Sequence, residues 1–319
     1  MRKYLKYLLC SAALVILLLA AEGCSVEKDN AVDGKSEAIY ATDSQLPEPM
    51  RQITEMLTEE VFDTDSEPVI TEVDWSGYFE GINGTAVIYD PAENCYQIYN
   101  QELALNRHSP CSTFKIISSL IALENGVIEP DSSTRPWSGE VFWNEDWNRD
   151  VDFSYAFRTS CVWYFREVID DIGADKMQEE LDRLQYGNCD ISDWEGRLNT
   201  NNSNPATTGF WIESSLAISP KEQVEVMERI FDENSDYSRE TQNQLKQVML
   251  VSDSDETAVE IYGKTGMGRS NGAIDAWFAG FADTDDKRIY FCVYLGGAEG
   301  ENISSSIAKE IALEMISDY

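Results

Sequence analysis

Strand-like runs gather near both ends of the folded part of this chain and are missing from its middle. That bracketing narrows the possible folds more than any other feature. Gly84-Thr-Ala-Val-Ile-Tyr-Asp90 and Cys95-Tyr-Gln-Ile-Tyr-Asn100 flank Pro91-Ala-Glu-Asn94, a hairpin pattern. Three more runs follow late in the chain: Glu260 to Gly266, Ala273 to Asp283, and Arg288 to Gly296. The last two are joined by the turn sequence Asp283-Thr-Asp-Asp286. Between the two groups, Ser112 to Asn125 predicts a helix that buries Phe114, Ile117, Ile121 and Ala122 and stops at Gly126. Pro130 to Leu250 is mainly helical in pattern, and Ser219-Pro-Lys-Glu222 opens one helix as a capping box with proline at the first helical position. A closing helix carries Ile303, Ile307, Ile311 and Met315 on one stripe. Short hairpin links imply antiparallel pairing. The expected fold is therefore α/β of the α+β type: a five-stranded antiparallel sheet flanked by helices, with a helical subdomain.

The segment ahead of this has a different character. Arg2, Lys3 and Lys6 precede an uncharged run from Tyr7 to Ala21, shorter than the ~20 residues a spanning helix needs. It ends Ala21-Glu-Gly-Cys24, which resembles a bacterial lipobox although Glu22 is unusual there. Residues 1–23 are expected to be a lipoprotein signal peptide, with Cys24 lipidated as the membrane anchor and the remainder outside the cytoplasm; an uncleaved anchor is the alternative. Residues 24–72 are acidic, contain Pro47, Pro49 and Pro68, and hold few large apolar side chains, so they read as a mostly disordered tether. The folded domain is then expected over residues 73–319.

Composition removes several function classes. Asp and Glu total 58 against 24 Lys and Arg, a formal charge of -34, which repels phosphate backbones and speaks against nucleic acid as a partner. The single histidine, His108, rules out His-rich zinc sites, makes a Ser-His-Asp triad improbable, and leaves no metal site to expect. None of the seven cysteines forms a C-x-x-C pair, and those of the folded part are read as small buried hydrophobes.

Four short motifs remain. Ser112-Thr-Phe-Lys115 is an S-x-x-K, which on a helix puts hydroxyl and amine on one face. Roughly one such pattern is expected by chance in a chain of this length, and Ser25-Val-Glu-Lys28 and Ser306-Ile-Ala-Lys309 are two others. Only the Ser112 copy opens a long buried helix straight after a hairpin, where free N–H groups face a developing negative charge. Lys264-Thr-Gly266 lies on a predicted strand, and a K-T-G is expected in under ~0.1 of such chains; its glycine lets a substrate approach the strand edge closely. Ser160-Cys-Val162 and Tyr186-Gly-Asn188 taken alone are a helix cap and a helix-ending turn.

The order S-x-x-K, S-x-V, Y-G-N, K-T-G carries the weight. In it the chain resembles the serine β-lactamases and penicillin-binding proteins, class D β-lactamases in particular. Trp147-Asn-Arg-Asp150, Phe210-Trp-Ile-Glu213 and Ala276-Trp-Phe-Ala-Gly280 extend the likeness from about Phe79 to the C-terminus. An S-D-N, which class A carries, is absent. The resemblance implies a serine β-lactamase/DD-peptidase-like fold and a β-lactam as the small-molecule substrate. It implies Ser112 as nucleophile and Lys115 as general base, the latter neutral in apolar surroundings and carbamylated to N6-carboxylysine by carbon dioxide or bicarbonate, with no other cofactor. Val162, Trp211 and Ile212 would form the apolar wall, the Trp211 indole N–H holding the carbamate. Ser160 would relay a proton to the leaving nitrogen. Lys264 and Thr265 would bind the substrate carboxylate on the strand that carries Gly266, and the backbone N–H groups of Ser112 and Met267 would form an oxyanion hole.

The chain departs from the pattern in three places. Cys111 stands where the resemblance implies alanine, and Met267-Gly268 follows K-T-G in place of an aromatic or threonine. An arginine after the last strand would grip the substrate carboxylate, yet residues 299 to 306 hold no base; Ser304 fills that place, and Arg269 is a candidate substitute. The leading expectation is β-lactam hydrolysis through a Ser112 acyl-enzyme, and hence β-lactam resistance. The alternatives are a penicillin-binding sensor or transpeptidase-like lipoprotein that acylates but deacylates slowly, and an inert lipoprotein that kept the fold.

Overall fold

The computed structural model describes residues 67–198, 203–252, 259–270, 272–284 and 287–319. The expected signal peptide, Cys24 and the tether as far as residue 66 lie outside the described residues. The first element, strand β1 (Val69–Glu72), takes up the last four residues assigned to the tether. A short helix α1 (Ser76–Phe79) leads to the hairpin of β2 (Gly84–Asp90) and β3 (Cys95–Tyr99), then to the single turn α2 (Gln101–Ala104). A 3-10 turn over Cys111–Phe114 runs directly into α3 (Lys115–Glu124). The helical block follows as α4 (Phe153–Arg158), α5 (Val162–Ile172), α6 (Ala174–Leu184), α7 (Pro220–Phe231) and α8 (Arg239–Met249). The chain then returns to the sheet as β4 (Leu250–Ser252), β5 (Val259–Ser270), β6 (Ala273–Thr284) and β7 (Arg288–Ala298), and ends in α9 (Ser305–Asp318).

The sheet has seven strands in the order β1-β3-β2-β7-β6-β5-β4, not the five expected. The five expected strands are its centre, and their pairing is antiparallel throughout. The two additions are edge strands with weak sequence signals. All four residues of β1 are exposed, so no alternation marks it, and it pairs parallel to β3. β4 is three residues at the end of a helix, pairing Leu250 with Tyr262 and Ser252 with Ile261.

Both faces of the sheet are covered, which explains why its central strands are nearly continuous apolar runs. On β6, Trp277, Ala279 and Phe281 join the core under the helical block, while Ala276, Phe278 and Ala282 join the second core under α9. On β7, Tyr290, Cys292 and Tyr294 face the first core, and Phe291, Val293 and Leu295 the second. Helix α3 is buried from Lys115 to Leu123, so it is a core helix covered on every side, packed against α5 and α8. The capping box of α7 forms as expected: Ser219 Oγ accepts from Glu222 N, and the Glu222 carboxylate accepts from Ser219 N. No disulfide forms among the described residues, and Cys111, Cys161 and Cys292 are buried thiols.

The tightest backbone approach in the sheet lies at β5 and β6, where a Cβ on Gly280 would sit 1.9 Å from the Tyr262 carbonyl oxygen. Gly280→Ala is therefore expected to lower stability by about 3 kcal/mol, read as a shifted midpoint in urea unfolding; an unshifted midpoint would refute this packing.

Candidate active site

Ser112 does not open an α-helix. It sits in the 3-10 turn ahead of one, because Cys111 takes a left-handed backbone conformation (φ 50°) and Thr113 N donates to Pro110 O. A non-glycine residue there costs about 1–2 kcal/mol, and surrounding bonds hold it in place. Cys111 N donates to Trp211 O at 3.0 Å, Ser109 Oγ donates to the same carbonyl at 3.1 Å, and Trp277 Nε1 donates to Ser109 O at 3.0 Å. From behind, Tyr186 of the Y-G-N packs edge-on against Phe114, ring centroids 5.5 Å apart.

One turn on, the fully buried Lys115 donates from Nζ to Ser112 Oγ at 2.9 Å. Burial pushes its pKa down to about 8; the nearest named partners are the Cys161 and Cys111 thiols and the Phe165 ring at 5.5 Å, none of them a carboxylate. At that value a share of Lys115 is neutral near pH 7–8, and across the same contact the neutral amine can turn acceptor for the Ser112 proton.

The K-T-G strand lies beside this turn. Gly266 is the closest point: a Cβ there would sit 3.0 Å from Pro110 O and from Thr113 Cγ2. A side chain there would crowd the nucleophile turn, which would have to give by a few tenths of an ångström. Lys264 is likewise buried, and its Nζ reaches Ser160 Oγ at 2.5 Å and Thr265 O at 3.1 Å. Burial, together with the charge of nearby Lys115, holds its ionisation well below that of a free lysine. Ser160 also has a left-handed backbone, φ 56°, immediately before α5. Three stretches distant in sequence thus converge: the nucleophile turn, the S-x-V and the K-T-G.

The outer edge of β5 is open at this point. β4 pairs only with Ile261 and Tyr262, and the chain preceding Leu250 is helix α8. Along Gly263–Ser270 that edge has no strand neighbour among the described residues.

A cavity of about 350 Å³ opens at Ser112 and is lined by Val162, Ile212 and Met267 but not by Trp211. Its other wall was not anticipated: Val141, Phe142, Trp143 and Trp147, with Trp143 83% and Val141 78% exposed at the rim. The apolar run Val141-Phe-Trp143 in an otherwise polar loop is the signal that would have identified it. Trp211 is wholly buried, stacked near Phe114, and its Nε1 has no hydrogen-bond partner among the described residues. A buried N–H of this kind fits an acceptor added to the site, such as a carbamate on Lys115.

His108 takes no part in a serine triad. Its Nδ1 lies 3.0 Å from the Tyr294 hydroxyl and 3.2 Å from Asp275 Oδ1. Ser304 is spent as the N-cap of α9, accepting from Ile307 N. Arg269, the candidate carboxylate ligand, follows the site on β5, where its backbone N–H donates to Glu213 Oε1. No cluster of His, Cys, Asp and Glu suited to a metal ion occurs among the described residues.

A family model described as the penicillin binding protein transpeptidase domain matches residues 83–317. Regulatory protein BlaR1 of Bacillus licheniformis is 31% identical over 246 residues, which is 76% of this chain and 38% of that protein, so the chain spans about two fifths of that relative's length. Probable beta-lactamase YbxI of Bacillus subtilis (strain 168) is 31% identical over 237 residues, covering 74% of this chain and 83% of the relative. The crystal structure of a class D beta-lactamase from Bacillus subtilis superposes with a TM-score of 0.66 at 29% identity, covering 77% of this chain and 95% of that one. The chain belongs to the penicillin-binding protein transpeptidase family, in the group that also holds class D β-lactamases.

Proposed function

We propose that this protein hydrolyses β-lactams through an acyl-enzyme on Ser112. The observation that carries the reading is the buried, carboxylate-free Lys115 amine 2.9 Å from the Ser112 hydroxyl. Ser112 Oγ attacks the lactam carbonyl carbon as its proton moves to the Lys115 side. Backbone N–H groups of Ser112 and Met267 receive the developing oxyanion, an effect worth about 3 kcal/mol per donor. As the C–N bond opens, Ser160, oriented by Lys264, gives its proton to the departing nitrogen and is reprotonated by the proton that the Lys115 side took, so the net transfer runs from the Ser112 hydroxyl to the nitrogen. A carbamate on Lys115 would supply a carboxylate-type base able to activate water for deacylation as well as the serine. Trp211 Nε1 is the donor available to hold it. The apolar walls at Val162, Ile212 and Met267 exclude bulk water from the base. We further propose that lipidation at Cys24 holds the domain at the outer face of a bacterial membrane.

A second reading, acylation by penicillin without release, has support in the kinship with regulatory protein BlaR1, whose C-terminal domain is described as a penicillin receptor. Intact mass after penicillin is added to the purified protein separates the two. Hydrolysis gives a transient adduct on Ser112, the receptor reading a lasting one, and no adduct would remove both.

In bicarbonate-depleted buffer the acylation rate is expected to rise with pH through about 8, because the amine that must accept the serine proton is charged below that value. Lys115→Ala should lower it by about 10³-fold. A flat pH profile would refute Lys115 as base, and deacylation that ignores restored bicarbonate would remove the carbamate.

Trp211→Phe deletes an N–H that has no partner among the described residues, so thermal stability should hold while bicarbonate-dependent turnover falls. Equal turnover in the variant would show that the indole holds nothing.

A further inference from the structure

The side of α7 that enters the core is apolar except at Gln223, which is 1% exposed on the same helix as the buried Val224, Met227 and Ile230. An amide in such a place is costly unless it is hydrogen-bonded. Gln223 Nε2 donates to Thr113 Oγ1 at 2.8 Å, and that hydroxyl donates in turn to Pro110 O at 2.7 Å. Thr113 is the buried residue next to Ser112. Its backbone N–H donates to the same Pro110 carbonyl, the bond that closes the 3-10 turn. One amide of α7 therefore reaches, through a hydroxyl, the carbonyl on which the nucleophile turn closes. Two further ties join the start of α7 to this segment. His108 and Ile218 exchange backbone bonds of 2.9 Å in both directions. The Glu222 carboxylate, besides capping α7, accepts from Arg107 Nε at 3.0 Å. From the opposite side Gly266 packs close to Pro110 O and Thr113, so the turn is held between α7 and β5.

We propose that Gln223 is a positioning residue for Ser112: its amide pins the Thr113 hydroxyl and so keeps the turn in the form that presents Ser112 Oγ to Lys115. The proposal rests on Ser112 acylation and adds to it a residue that touches no reacting atom. Strain in the turn gives the bond its purpose. Cys111 is left-handed, and 3-10 bonds are poorer than α-helical ones, so the turn without its ties would relax toward the regular helix that follows it. Relaxation would swing Ser112 Oγ away from Lys115 Nζ, and a misplacement of about 1 Å can cost about 10²-fold in rate. Packing alone would be met by a methionine at position 223, which buries no polar group.

The test follows acylation of the full chain by benzylpenicillin as intact mass against time over a range of concentrations, which separates the limiting rate from the apparent Kd. In Gln223→Met, a side chain of the same length without the donor, the limiting rate should fall about tenfold, the order of one buried hydrogen bond, at unchanged Kd. Thr113→Val removes the hydroxyl itself and should lose at least as much. The double variant should be no slower than Thr113→Val, because both changes act through one hydroxyl. In bicarbonate-depleted buffer the rise in rate with pH through about 8 should keep its midpoint in every variant, since the burial of Lys115 is untouched. A parental rate in Gln223→Met, a loss confined to Kd, losses that multiply in the double variant, or a moved midpoint overturns the positioning role while acylation itself stands. Should Gln223→Met fail to fold, Thr113→Val decides alone: a slower limiting rate at unchanged Kd upholds the role, and a parental rate overturns it. Absence of any adduct in the parent removes the Ser112 reading, and this proposal with it.

Discussion

Two amines lie buried in one apolar region with no counter-charge among the described residues, and the chemistry of the site depends on that. A lysine beside a carboxylate remains an ammonium and cannot take a proton. This chain has an abundance of carboxylates, yet Lys115 is surrounded by thiols and a phenylalanine ring, and Lys264 by a serine hydroxyl and the Phe157 ring. Burial disfavours both charged forms, and each amine's charge would disfavour the other's. The cost of burying them is borne by the large aromatic core beneath the helical block, where Phe114, Tyr186, Phe210 and Trp211 interlock. Fold and reactivity are coupled here, because loosening that packing would admit water and return the amines to their ordinary, protonated state.

Geometry around these amines is set by backbone that resists its own preferences. Cys111, Ser160 and Glu213 all adopt left-handed conformations, and all three border the place where the turn, the S-x-V and β5 meet. Each is tied to neighbours: Cys111 N to Trp211 O, Ser160 Oγ to Lys264, and the Glu213 carboxylate to the Arg269 N–H. Local strain concentrated at a catalytic junction and offset by packing elsewhere is the expected signature of a preorganised site.

Much of this was legible in the sequence. Strand-like runs and turn chemistry revealed the hairpin and the three late strands, and the Ser219/Glu222 pair revealed a helix start, because those signals are local. Ser112, Lys115, Ser160, Lys264 and Gly266, singled out by the motif order, lie close together in the fold. What was missed depends on tertiary context. The exposed parallel edge β1 has no alternation, since neither of its faces is buried. The 3-10 turn at Ser112 follows from Cys111's backbone, which the residue type does not disclose. The rim tryptophan Trp143 lies in a loop without periodicity. Arg158 and Lys309 are 151 positions apart in numbering and line one cavity only because the fold brings α4 and α9 to the same strand edge.

The groove's length is set by where α8 ends. Met249 is the last helical residue and Leu250 the first extended one, and antiparallel pairing carries β4 from Tyr262 away from the K-T-G. Were the last turn of α8 to unwind into extended chain, its peptide groups would zip onto β5 beyond Tyr262 and complete the sheet across the place where a substrate must lie. Residues such as Leu245 and Met249, buried in the core, thereby act as a doorstop: by keeping that turn coiled they keep the entrance ajar, far from any reacting atom.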